Sequence, residues 1–163
     1  MDGKDLLILH LLEENSRIPI EELATMVELP VKEAERRIRA LEEARIIRKY
    51  AAVIDWEKAG NEEVTSIIAL KVSPERDFGY DRIAERIARF REVKAVRLVS
   101  GRYDLILLVR GRTMQDVARF VSEHIATMDQ IRETTTQFAM KTYKENGIPY
   151  DEREASERLP YSF

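Results

Sequence analysis

Ile18–Asp55 reads IPIEELATMVELPVKEAERRIRALEEARIIRKYAAVID, and within it two short helical patterns are separated by a proline. Pro19 suits a helix start, where its missing N–H would be unsatisfied in any case. Ile20, Leu23, Ala24 and Val27 then recur on one face, with Glu21 and Glu22 near the positive end of the helix dipole. Leu29–Pro30 breaks this helix. From Val31 to Ala44, residues Ala34, Ile38 and Leu41, continued by Ile46 and Ile47, form an inner face. Lys32, Glu33, Glu35, Arg36, Arg37 and Arg39 form the outer face. An apolar inner face, a tight break and outward cations are what a helix-turn-helix needs when its second helix enters a major groove. A three-helix module that binds protein or oligomerises meets the same requirements.

Upstream, Lys4–Glu14 (KDLLILHLLEE) repeats Leu7/Leu11 and Ile8/Leu12 at helical spacing, with Asn15–Ser16 as a stop. Downstream, Arg48–Asp55 (RKYAAVID) is partly β-branched and aromatic and is expected to be a strand leaving the helical unit. Trp56–Glu63 reads as a linker with a Gly60–Asn61 turn, which places a domain boundary near Gly60. Beyond it the pattern is strand (Val64–Val72), helix (Tyr80–Phe90), strand (Val93–Ser100), strand (Tyr103–Val109), helix (Met114–Met128) and strand (Ile131–Tyr143). That βαββαβ order predicts a ferredoxin-like domain, with both helices on one face of an antiparallel sheet and the other face free for a second subunit.

Composition narrows the function. The 163 residues are 44% hydrophobic and 35% charged, enough for one domain or two small ones. No apolar run approaches the ~20 residues needed to span a bilayer, and the start lacks a secretory pattern, so a cytoplasmic protein without membrane partners is expected. The chain has no cysteine, which excludes disulfides, thiolate nucleophiles and iron–sulfur clusters. With two histidines, His10 and His124, no metal site or cofactor is expected either. His10 reads as a core-edge residue, and His124 as a residue near a helix end, where the dipole favours a cation. Nucleophile elbow, P-loop, dinucleotide turn and H-E-x-x-H patterns are all missing, so the chain is not expected to be an enzyme.

The net charge of -3 and a pI near 5.6 argue mildly against nucleic acid. The average conceals a concentration of basic charge: Lys32–Lys49 holds seven cations against four anions inside an otherwise acidic segment.

The helix-turn-helix stretch, the R-R-I-x-x-L-E-E pattern at Arg36–Glu43, and G-x-Y-D at Gly101–Asp104 within SGRYDLILLVRG together resemble the Lrp/AsnC (feast/famine) transcription regulators over about residues 3–145. The resemblance implies a winged helix-turn-helix on double-stranded DNA, dimers that often build into octamers, and amino-acid effectors bound where βαββαβ domains of different dimers meet. The chain departs from the pattern at the opening of the recognition helix. There the family commonly has S-P-S-x-V, and this chain has Val31, Lys32, Glu33, Ala34 and Glu35. A glutamate can accept from cytosine N4, changing base choice; it can equally repel phosphate and weaken binding. An i,i+4 pair between Glu35 and Arg39 would offset part of that acidity.

In the turn Ser100, Gly101, Arg102, Tyr103, Asp104, a glycine is first explained by a positive φ. The same turn could hold an amino acid, with its N–H groups on the carboxylate and Asp104 on the ammonium. Thr134, Thr135 and Thr136 would complete that pocket, as the corresponding region does in the family.

The expectation is therefore an α+β protein. Residues 1–60 form a winged helix-turn-helix and linker strand, 61–145 a ferredoxin-like βαββαβ effector-binding and oligomerisation domain, and 146–163 a tail. The expected function is transcriptional regulation in response to an amino acid or related metabolite. The alternative is a ligand-binding oligomeric partner protein of the same fold with weak or lost DNA binding, for which Glu33 and Glu35 are the main evidence.

Overall fold

The computed structural model describes residues 1–61 and 63–150, and the chain divides into a unit covering Met1–Val53 and a second from Ile54 onward. In the first, α1 (Gly3–Glu14) opens with a capping box. The Asp2 carboxylate accepts from the Lys4 and Asp5 amides at 2.9 and 3.0 Å, and Asp5 accepts from the Asp2 amide at 2.8 Å. α2 (Ile20–Met26) and α3 (Val31–Glu43) follow. Ile8, Leu23, Ala24, Val27, Ala34 and Leu41 make the core of this unit. Each helix at the break ends with a left-handed residue that is not glycine. Glu28 has φ 53° and Arg45 φ 56°, while the next amide reaches back five residues, Leu29 to the Ala24 carbonyl and Ile46 to the Leu41 carbonyl, both at 2.9 Å.

Two expectations fail here. His10 is not at the core edge: its side chain is 75% exposed, beside Glu13. α1 is apolar on several sides, so its inner face is ambiguous in sequence. Ile8 takes the core position, and two steps of about 100° carry His10 to the far side. Arg48–Asp55 is not a strand; no residue between Arg48 and Asp55 belongs to one. A β-rich composition does not make a strand without a hydrogen-bonded neighbour, and the described part of the first unit therefore has no paired wing.

The second unit is built on a four-stranded antiparallel sheet in the order β2-β3-β1-β4, from β1 (Val64–Val72), β2 (Val93–Leu98), β3 (Leu105–Gly111) and β4 (Ile131–Phe138). Period-two alternation turns Ile68, Leu70, Leu105, Leu107 and Val109 toward α4 (Asp81–Ala88) and α5 (Met114–Phe120), where they bury against Ile83, Ile87, Val117 and Phe120. Gly111 permits a close approach, since a Cβ there would lie 2.9 Å from Val117 Cγ2. The expected single helix Met114–Met128 is α-helical only to Phe120 and becomes a π-turn over Val121–Ile125, with the Ala126 amide donating to the Val121 carbonyl at 2.8 Å. His124 lies on this turn, its ring 5.3 Å from Phe90 and 5.8 Å from Phe120.

The last strand stops at Phe138, short of the expected Tyr143. Two short strands, β5 (Lys144–Glu145) and β6 (Ile148–Pro149), then pair about Asn146–Gly147, with φ of 46° and 86°. This is an Asn-Gly two-residue hairpin, whose turn needs positive φ at both positions, inside what the sequence suggested was tail. Tyr150 donates from its hydroxyl to the Ile54 carbonyl at 2.9 Å. The remainder of the expected tail, residues 151–163, lies outside the described residues. No helix among the described residues is long and apolar enough to cross a membrane.

Candidate nucleic-acid interface and ligand-binding turn

At about 100° per residue, α3 separates its charges into two stripes. One carries Lys32, Glu35, Arg36, Arg39 and Glu43 along a shallow groove of about 340 Å3. Lys32 and Arg39 have no ion-pair partner among the described residues, and the expected Glu35–Arg39 pair is not formed. The other stripe, Glu33 and Arg37, faces the start of α1. Glu33 accepts from Arg36 Nε and Nη2 at 2.8 and 2.7 Å and from Arg37 Nε at 3.0 Å. Arg37 Nη1 donates to Asp2 and Asp5, each at 2.8 Å. The arginine hydrogen bonds, that from Arg36 foremost, hold the Glu33 carboxyl down at about 2, and the Arg37 hydrogen bond does the same for Asp2, also about 2.

The six residues expected to meet DNA therefore do different things. Lys32, Glu35 and Arg39 stand on the outer stripe without an ion-pair partner among the described residues. Arg36, 68% exposed, lies on that stripe while chelating Glu33. Glu33 and Arg37 are committed within the unit. Sequence reading missed Asp2 and Asp5, although an aspartate pair three apart before an apolar run is a capping signal.

Gly101 has φ 123°, in the range that favours glycine. Around it the Val99 amide donates to the Asp104 carbonyl and the Asp104 amide to the Leu70 carbonyl, both at 2.9 Å. Tyr103 lies across the sheet face away from the helices, its hydroxyl 2.9 Å from Thr135 Oγ1 and 3.1 Å from Glu133 Oε1. Arg102 approaches the same glutamate at 3.3 Å and sits 5.2 Å from the Tyr103 ring centroid. Ser100, Gly101 and Arg102 are exposed.

Two assignments at this turn are corrected. Thr134 and Thr136 pair with Leu70 and Ile68 and share their face, toward the helices, whereas Thr135 pairs with Ala69 on the opposite face. Strand alternation does not allow three consecutive hydroxyls to converge. Asp104 is engaged inside the fold: its carboxylate accepts from the Val72 amide at 2.8 Å, Lys71 Nζ at 3.3 Å and the Tyr80 hydroxyl at 3.4 Å. Those bonds, the Val72 amide first, hold its pKa below the usual aspartate value. Glu133 takes the place on the Tyr103 side that was expected of a threonine; it stands two residues before Thr135, a signal the alternation rule provides.

Residues 1–42 match the AsnC-type helix-turn-helix domain, and residues 65–149 match the Lrp/AsnC ligand binding domain. The chain belongs to the Lrp/AsnC family. It is similar to the uncharacterized HTH-type transcriptional regulator YugG of Bacillus subtilis, at 45% identity over 98% of this chain and 96% of that protein. Among solved structures, an AsnC family transcriptional regulator from Agrobacterium tumefaciens is 30% identical, covering 89% of this chain and 94% of that one, with a TM-score of 0.69. The transcriptional regulator NMB0573 of Neisseria meningitidis, in complex with L-Met, is 26% identical over 89% and 93% of the two chains, also with a TM-score of 0.69. Lrp/AsnC proteins are transcriptional regulators and not enzymes, and this chain is a regulator carrying a ligand-binding domain. Among the described residues no group of three or more His, Asp or Glu is placed to hold a metal ion.

Proposed function

We propose that this Lrp/AsnC regulator binds double-stranded DNA through the outer stripe of α3 and changes its DNA affinity or assembly when an amino acid or related metabolite binds near the Gly101 turn. The observation that carries the DNA part is the stripe itself, where Lys32, Arg36 and Arg39 lie exposed on the second helix of a helix-turn-helix. Glu33, one of the two glutamates that argue for lost DNA binding, is offset by two arginines, so the reading without DNA rests on Glu35 alone.

The effector part is supported by the L-Met complex of the Neisseria relative and by the polar cluster of Arg102, Tyr103, Glu133 and Thr135. An amino-acid ammonium would meet Glu133 rather than Asp104, and turn N–H groups would take the carboxylate. Assembly is supported by surface that one chain leaves uncovered: the extended segment with exposed Tyr50, Val53 and Ile54, and the sheet face bearing Ile67. A homodimer formed there presents two recognition helices to two half-sites, and dimers can build further into an octamer. Effector coupling would then be worth ~1–3 kcal/mol.

The test is binding to genomic fragments that include the region upstream of the protein's own reading frame, at ~50 and ~200 mM salt, with and without a mixture of common amino acids. Selective binding that falls steeply with salt and shifts with amino acids is expected. Absence of binding at low salt would sink the DNA reading, and indifference to every amino acid would sink the effector reading.

A further inference from the structure

Of the four cations of α3, Arg37 is the most enclosed, with a side chain only 20% exposed. Its guanidinium is ringed by three carboxylates. One terminal nitrogen, Nη1, reaches both Asp2 and Asp5 at 2.8 Å, and Nε reaches Glu33 at 3.0 Å. Asp2 and Asp5 are at the same time the capping box that starts α1. A single side chain thus ties the first turn of α1 to the middle of α3 by bonds of the charge-assisted kind. Glu33 relays the tie one step further, because it also holds the Arg36 fork at 2.7 and 2.8 Å and so fixes where the exposed Arg36 head stands on the outer stripe.

We propose that Arg37 is a positioning residue of the DNA-binding surface: it sets the placement of α3 and, through Glu33, of Arg36, and does not itself contact phosphate. The proposal rests on the DNA-binding reading above. Two features carry it. Arg37 Nε and Nη1 donate to carboxylates within its own unit, and Arg37 lies about 160° around the helix from Arg39, at about 100° per residue, while among the described residues Lys32 and Arg39 have no ion-pair partner on the stripe. Opposite charge is balanced locally, since Arg36 and Arg37 face Asp2, Asp5 and Glu33. The unpaired basic charge on the outer stripe, among the described residues, is therefore that of Lys32 and Arg39, with the exposed Arg36 head held beside them by Glu33.

The experiment measures DNA affinity of the full chain as a function of salt, using the same upstream genomic fragments, for the wild type and for Arg37→Met, Arg37→Lys, Asp5→Asn and Arg39→Ala. Removing a phosphate contact lowers the slope of log K against log salt by about one. Arg39→Ala is expected to do so. Arg37→Met is expected to lower affinity by a similar factor at every salt, leaving the slope unchanged, with Arg37→Lys intermediate. Asp5→Asn keeps the arginine and loosens its tie, so it should weaken binding as Arg37→Met does, and the double variant should be no weaker than the single ones. Should Arg37→Met fail to fold, the Asp5→Asn arm decides alone. A slope reduced by about one in Arg37→Met, or tighter binding by Asp5→Asn because a freed cation reaches the backbone, would overturn the proposal. Failure of the wild type to bind any fragment would instead overturn the DNA-binding reading, and the proposal with it.

Discussion

The Asp104 carboxylate accepts a hydrogen bond from the Val72 amide at 2.8 Å, at the point where the pairing of β1 with β4 slips between Lys71 and Val72. The extra residue of that slip is on β4, whereas the Val72 amide points toward β3, beyond the last β1–β3 pair, Leu70 with Leu105, and a side chain from the turn before β3 supplies the acceptor. G-x-Y-D in this chain is thus a structural device at its fourth position, and Tyr103 is the residue turned toward the other sheet face. Asp104→Ala strands the Val72 amide, a loss of about 1–3 kcal/mol. Urea unfolding should show a lower midpoint with an unchanged slope, and wild-type stability in this variant would refute the assignment.

Tyr103→Phe removes only the hydroxyl that joins Thr135 and Glu133. It should leave unfolding close to that of the wild type and shrink the amino-acid effect on DNA binding about fivefold, the worth of one net hydrogen bond near 1 kcal/mol. A full response in this variant would place the effector elsewhere.

Glu28→Gly and Arg45→Gly each replace a side chain held at φ 53° or 56° by the residue with no Cβ penalty there. Each is expected to stabilise the helix-turn-helix by about 0.5–1 kcal/mol, read as a higher thermal midpoint. A lower midpoint would mean that the side chain holds more than the backbone strain costs.

Acid should loosen the first unit. Asp2 and Glu33 are held to about 2 by arginine hydrogen bonds, against ordinary values of 3.8 and 4.5. For groups whose pKa is depressed on folding, the stabilisation is complete above the ordinary value and is lost as pH falls through the folded one. The tie between α1 and α3 is therefore expected intact above about pH 4.5 and progressively lost toward about pH 2. Helical circular dichroism of Arg37→Met across that range should show a smaller pH-dependent change than the wild type; an equal change would assign the acid response to other carboxylates.

Glu35, unpartnered on the outer stripe among the described residues, is placed to accept from a cytosine N4 amine. Selection from a randomised duplex pool should give a preferred cytosine in each half-site for the wild type, replaced or relaxed in Glu35→Gln and kept in Glu33→Gln. An identical motif from all three would exclude Glu35 from base reading.

Fold class and domain order were legible because they depend on periodicity. Ala34 and Leu41 at helical spacing, and the β-branched and apolar run that holds Ile68 and Leu70, report local geometry that each segment adopts against any apolar surface. The glycine at 101 was readable for the same reason, since its φ is a local requirement. Arg48–Asp55 was misread because a strand is a relation between two segments, and no described partner adjoins this one.

What the sequence by itself determined is the pair of units, their cores, and the helix that carries the basic charge. Tertiary structure alone decided how those charged side chains are spent. Whether Arg37 faces DNA or Asp5, thirty-two positions away in the chain, and whether Asp104 meets a ligand or the Val72 amide, thirty-two positions before it, depends on which polar groups folding brings within about 3 Å. Burial positions of apolar residues follow from a non-directional force and a helical or strand period. Hydrogen bonds are short and directional, and their partners are set by distant segments that no local pattern encodes.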